Sequence, residues 1–465
     1  MRIRSGFVAL LLAAALAPVV GCASQARPAI QLYEHGDYAG AARAAESGLA
    51  AHPRSDALWG MRVRAALALG DAGGVASAYR AYRDMRGDDD LTLVRDVANA
   101  TLKQALASPS ARMKIAAIRA VERVEIESLA DDVGARMGDD DDTVAATAAV
   151  AVLRGYGQAP GVADDMLRSE DPVARRIAIE GIAAKVGIGA IAELRTAAVD
   201  PDAGVREVAL RWLGTLRDAA SSVVIIRNLK HPDDGVRAAA VTALGRIGVA
   251  THAKTADLVR LATAALADRA LAVRLAGVEV LASAHATEAL VALAVDPEPL
   301  VAVQAAVAVE RRDLAAPALE RAATAERWTA RAGAANAAAR ALAPAAAIAL
   351  VTRLATDPEL GVRLAAARAL GALGQRDAAI AVFAAAASTD SGAAADLAAL
   401  GDPRGWLALQ VAVRDPAAAP EARAAAAAAH LIAHRITPAL VAALADSSGV
   451  VRVEAAAALA VLAHR

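Results

Sequence analysis

His430 and His434 stand four residues apart, a spacing that on a helix puts two imidazoles on one face, where they could share a metal ion. No carboxylate or cysteine lies near them at ligand spacing, and His430 falls in the slot that Leu370 fills elsewhere, a core position. The acids Asp139 to Asp142 could suggest calcium, but they lack the alternating ligands and turn glycine of a calcium loop. They suit the start of a helix near Thr143, where negative charge meets the helix dipole. Gly155-Tyr156-Gly157 and Gly187-Ile188-Gly189 follow no strand, so they read as helix-to-helix turns and not as phosphate loops. Neither G-x-S-x-G nor H-E-x-x-H occurs, and Cys22 is the one cysteine. The expectation is no catalytic residue, no metal and no cofactor.

The elements around these residues are repeats. DPDAGVREVALRWLG from Asp200, HPDDGVRAAAVTALGRIG from His231 and DPELGVRLAAARALGALG from Asp357 restate one pattern. The position of Arg206 is followed through Lys114, Ala145, Arg176, Arg237, Arg274, Ala302, Arg331, Arg363, Asp396, Arg423 and Arg452. Roughly twelve two-helix units at this period make an all-α fold, an α-α superhelical solenoid. Asp171, Asp200, Asp296, Asp357 and Asp415, each followed by Pro, are expected to N-cap the first helices, with the Pro at the first helical position. Gly214, Gly248 and Gly374 are expected to end them in the left-handed conformation. A second apolar-periodic stretch, such as AASSVVIIRNL, completes each unit.

One arginine per unit could form a basic ladder for phosphate or carboxylate. A structural role fits better: a guanidinium at each helix start can bond the Asp or carbonyls of a neighbouring unit and tie repeats together. The gaps at Ala145, Ala302 and Asp396 suit such a ladder better than a continuous binding track.

The units resemble HEAT repeats of the phycobilisome-lyase type, strongly at Val205-Arg206, Val236-Arg237 and Val362-Arg363. The resemblance implies an α-α superhelix that binds proteins. A related di-iron hydroxylase takes its ligands from His-Glu pairs, and none of the eight histidines here precedes a Glu. Gly36-Asp37-Tyr38 and Gly70-Asp71-Ala72 stand 34 residues apart, and with Ala41, Pro53, Trp59, Ala66, Val75 and Tyr79 they resemble tetratricopeptide repeats closed by a helix over Leu91 to Ala107. The two repeat types are expected to stack as one rod. Residues 1–22 carry Arg2 and Arg4, then a short apolar run, then Val19-Val20-Gly21-Cys22, which resembles a bacterial lipobox. That resemblance implies lipidation at Cys22, and Ala23 after it resembles the outer-membrane sorting signal, so the chain would face the periplasm. The expected organisation is a leader at 1–22, tetratricopeptide-like helices at 23–107 and HEAT-like repeats at 108–465.

Composition narrows the partners. The 465 residues are 57% hydrophobic but only 2% aromatic, so helix contacts are built from Ala, Val and Leu. A net charge of −1 and few aromatics exclude a nucleic-acid track, which needs clustered cations and stacking platforms. The reading is a membrane-tethered adaptor for a protein or peptide; a self-associating envelope protein is the alternative, and a lyase-like enzyme ranks below both. The partner surface is expected on the second helices: Asp164, Arg168, Glu193, Arg227, Lys230, Asp257, Arg260 and Arg353, whose mixed signs favour a polypeptide. The last helix, Val450 to Ala463, has only Arg452 and Glu454 as charges, so an uncovered apolar face and a homodimer through it are expected.

Overall fold

The computed structural model describes residues 25–155 and 162–464. Cys22, Tyr156 and Gly157 lie outside the described residues. All regular structure among the described residues is helical, so the all-α expectation holds. The chain divides into two compact units, residues 130–386 and a discontinuous unit of residues up to 129 with residues 387 onward.

The 130–386 unit is a series of helix pairs. Its first helices include Pro172–Val186, Ala203–Thr215, Asp234–Ala250, Leu271–Ser283, Trp328–Ala341 and Leu360–Ala372; the second helices include Ile191–Ala197, Ser222–Asn228, Thr255–Leu266 and Pro344–Leu354. First helices stack on first helices, and each of these second helices packs against the first helix that follows it. Asp234–Ala250 buries residues on nearly every side, from Val236 through Ala240 and Ala243 to Ile247. Alanine permits this, because a methyl keeps neighbouring helix axes close and costs little side-chain entropy. Larger residues fill the seam between layers: Leu210, Leu213 and Ile225 are wholly buried. Each is worth about 1.5–3 kcal/mol in apolar burial.

Two expectations about helix ends need correction. Asp171 does cap its helix, with Pro172 first. Asp200, Asp296, Asp357 and Asp415 do not: their carboxylates accept the backbone N–H two residues on, at 2.8–2.9 Å, forming a turn before the helix. The helices then begin later, after Asp202, Glu298, Glu359 and Ala419. Of the later residues only Asp202 caps with its side chain, and the i+2 contact alone does not decide the start, since Asp171 makes it to Val173 and does cap. Of the three glycines, Gly374 is left-handed (φ 77°), whereas Arg217 and His252 take that conformation in place of Gly214 and Gly248. Gly214 serves contact instead: a Cβ there would sit 2.6 Å from the Ala243 Cα of the next first helix.

In the discontinuous unit, the turns at Gly36-Asp37 and Gly70-Asp71 are alike. Each glycine is left-handed and each Asp caps a helix, Tyr38–Ala51 or Ala72–Arg86. Trp59 stacks on Tyr82, whose hydroxyl donates to Asp90 at 2.6 Å. The C-terminal helix Gly449–His464 packs against Leu91–Leu106 as well as against Ala111–Val124 and Pro420–Ala429. Val453 and Leu459 are completely buried. The expected uncovered face is therefore absent, and with it the basis for a homodimer through this helix. Leu91–Leu106, whose buried residues include Val94, Val97, Ala98 and Leu102, supplies part of the cover. Within this unit, helices from the early part of the chain thus pack against its last helix.

His430 occupies the core position expected of it. Its ring bonds the Ala426 carbonyl through Nδ1 at 2.8 Å and meets the Thr437 hydroxyl at Nε2, 3.2 Å away. The helix ends at Ala429, and His434 lies beyond it with φ 52°, so the two imidazoles do not share a helix face. The acidic run behaves as a helix start: Asp141 accepts from the Val144 N–H at 3.0 Å.

Candidate interaction surface

The arginine ladder ties the repeats together and holds the second helices in place. Arg175, Arg237, Arg331 and Arg423 each send Nε and Nη2 to the two carboxylate oxygens of an Asp in the next repeat, Asp200, Asp268, Asp357 and Asp446 respectively. Nη1 bonds the carbonyls five or six residues back, as Arg237 does to His231 and Pro232 at 2.9 Å. Arg363 and Arg452 make the carbonyl contacts. The structural reading of the ladder stands, with two changes of register. The ladder residue is Arg175 and not Arg176, and the slot assigned to Asp396 belongs to Ala394, four residues after the Asp390 cap. The guanidinium beside each carboxylate holds Asp268 and Asp357 below the usual carboxylate range.

All eight residues expected to meet a partner lie on or beside second helices, and the structure sorts them into groups. Asp164, Arg168 and Glu193 come together around one open groove of about 640 Å³. Asp165, Arg175, Thr196 and Asp200 line it too, with Leu167 and Ala192 as apolar residues that keep surface there. Arg168 pairs with Asp165 at 2.7 Å, and Arg175 is committed to Asp200. The Glu193 Oε2 is buried and has no hydrogen-bond partner among the described residues.

One repeat further on, Arg227 and Lys230 lie on and just beyond Ser222–Asn228, beside Val223 (64% exposed) and Ile226 (53%). Val199, at the end of the preceding second helix, is also exposed. Reading charges along the sequence misses these three apolar residues. A signal exists, because the run Val223-Val224-Ile225-Ile226 is too wide for one buried helix face, and only Ile225 is wholly buried. Asp257 and Arg260 form an ion pair with each other. Arg353 pairs with Glu320 of the preceding second helix, well removed in the chain from the groove. The structure therefore does not gather all eight into one patch, and these last three are matched within the chain.

Among the described residues no group of three or more His, Cys, Asp or Glu side chains could hold a metal ion, and no helix is long and apolar enough to cross a membrane.

Residues 159–245 and 191–282 match the family model described as HEAT repeats. No curated protein sequence matches the chain. Among solved structures, an engineered protein is 20% identical over 79% of this chain and 98% of its own, with a TM-score of 0.30. The complex of CpcE and CpcF of phycocyanin lyase from Nostoc sp. PCC7120 is 21% identical over 59% and 94%, TM-score 0.28. The karyopherin Kap121p bound to the SUMO protease Ulp1p is 13% identical over 84% of this chain and 51% of its own, TM-score 0.36. Within the stretch that matches this model, residues 162–282 form helix pairs joined by the arginine ladder, in an all-α solenoid.

Proposed function

We propose that this chain is a non-catalytic scaffold of the bacterial cell envelope that binds a polypeptide along the second helices of its HEAT repeats. The observation that carries the reading is the surface of Ser222–Asn228, where exposed Val223 and Ile226 lie beside the cations Arg227 and Lys230. Exposed apolar side chains set among charges suit polypeptide recognition, where apolar contact gives affinity and charge gives register. The paired glycine–aspartate turns of the N-terminal helices support a tetratricopeptide-like start, a second protein-binding repeat type. Anchoring rests on the sequence Val19-Val20-Gly21-Cys22 and its resemblance to a lipobox, with Ala23 favouring the outer membrane and a periplasmic orientation.

Crosslinking pull-down from envelope membranes tests the binding. Reversing Arg227 and Lys230 to Glu together is expected to abolish recovery of a true partner while folding stability stays within about 1 kcal/mol, as for most surface changes. Unchanged recovery overturns the assigned surface. Cys22→Ser is expected to abolish fatty-acid labelling and release the chain from membranes; an unlabelled wild type overturns the anchor.

A further inference from the structure

We propose that the groove between Arg168 and Asp200 is a socket for a lysine or arginine side chain of the bound polypeptide, with Glu193 as its counter-ion. The inference rests on the polypeptide-binding reading and deepens it. Two arginines and four carboxylates line the groove. Both arginines are matched inside it, Arg168 by Asp165 and Arg175 by Asp200. The carboxylates left over are Asp164, exposed at the rim, and Glu193, whose Oε2 is shielded from solvent and bonded to nothing among the described residues.

A shielded carboxylate oxygen without a donor is costly, and the partly exposed Glu193 side chain lines the groove, so a small rotation turns that carboxylate toward a donor there. The neighbouring guanidinium of Arg175 is already engaged, with Nε and Nη2 on Asp200 and Nη1 on the carbonyls of Ser169 and Glu170. What the groove lacks is a positively charged N–H donor from outside. Its volume, about 640 Å³, exceeds what a water or a bare ion fills and lies in the range of sites that take organic groups. Leu167 and Ala192, which keep surface in the groove, offer apolar contact for a methylene stem, and Glu193 and Thr196 offer acceptors for the cationic head.

The next repeat selects a second charge in the ligand, at a fixed distance from that cation. Helices of adjacent repeats lie about 8–10 Å apart. An extended peptide advances about 3.3 Å per residue, so it spans one repeat in roughly three residues. Arg227 and Lys230 therefore meet an acidic side chain about three residues from the basic one, with Val199, Val223 and Ile226 beneath the apolar residues between.

A phage-displayed random dodecapeptide library panned on the full chain tests this. Enriched peptides are expected to carry Lys or Arg with an Asp or Glu roughly two to four residues away. Glu193→Gln, which keeps the side chain's shape and, by removing an unsatisfied charge, is expected to hold or raise the melting temperature, should weaken those peptides roughly tenfold or more, as loss of a charge-assisted contact does. Replacing the peptide's basic residue by norleucine should cost the same factor on wild type and almost nothing on Glu193→Gln. Asp164→Asn, at the rim, should weaken binding less and serves as a second variant. Binders that ignore Glu193→Gln, or that lack a basic residue, overturn the socket and leave the scaffold reading standing. A library that yields no binder counts against both.

Discussion

Arg237 and Asp268 meet fork to fork across a repeat boundary, with Nε and Nη2 at 2.8 and 2.9 Å from the two carboxylate oxygens. Both side chains are largely buried, so removing one partner strands the other away from water. Arg237→Ala is expected to cost roughly 3 kcal/mol. Arg237→Lys should recover little, because an ammonium cannot make the paired contact and the two carbonyl bonds at once. By contrast, Arg246 and Glu279 form an exposed pair at 3.2 Å, and Arg246→Ala should change stability by less than about 1 kcal/mol. Urea unfolding of the three variants checks the ranking.

The same ladder makes the protein acid-sensitive. Arg331 and Arg237 hold Asp357 and Asp268 below their unfolded values, so both contribute stability that is present above about pH 4 and lost as pH falls through the folded values. Melting temperatures should be flat from about pH 7 to about 5 in this respect and fall steeply below about 4. Asp268→Asn should lower the neutral-pH value and flatten the acid limb.

His430 acts in a different window. Burial pushes its imidazole below the usual histidine value, so the fold favours the neutral ring. Its contribution is fully present above the unfolded value of about 6.5 and is lost as pH falls below it. Arg435, stacked over the neighbouring Trp406, adds a cation near the same site. Wild type should lose stability as pH falls below about 6.5, and His430→Gln, which cannot be charged, should not show that loss. Thermal melts followed by tryptophan fluorescence report it.

Leu459→Glu separates a covered helix from an associating one. Leu459 is wholly buried beneath the chain's own helices, so the substitution should cost about 4 kcal/mol or more and remove hydrogen-exchange protection from Leu91–Leu106 as well. Dissociation of a dimer with the fold intact would be the opposite result.

The repeat pattern is legible because each unit states it locally: Asp202, Val205 and Arg206 sit within one turn of helix. The choice between Arg175 and Arg176 is not, since adjacent arginines differ only in which way the helix turns them, and Pro172 sets that by fixing the first turn. Asp-Pro announces a turn and a nearby helix, but a carboxylate that can reach either of two amides does not reveal the starting residue. For the candidate site, the second helices can be placed and their charges named, yet pairing decides which charges remain. Asp257 and Arg260 cancel each other three residues apart, whereas the Glu193 Oε2 is left without a donor among the described residues. The apolar stripe of Leu91–Leu106 is visible as a stripe. Its partner, Gly449–His464, lies at the other end of the chain, where no local signal links the two.

The joining of early and late segments also orders the events of folding. Arg112 and Glu421, which bond across the discontinuous unit at 3.0 Å, are 309 positions apart. The helices before residue 129 come first in the chain and keep an apolar face unburied until the last helix is available to cover it. Closing a flexible loop of that length costs about 5 kcal/mol in chain entropy beyond a constant. Residues 130–386 form a compact unit of their own, and their prior folding removes most of that floppy loop. Completion of the discontinuous unit is thereby the late step, set by long-range docking in a protein whose individual helix pairs are local and fast.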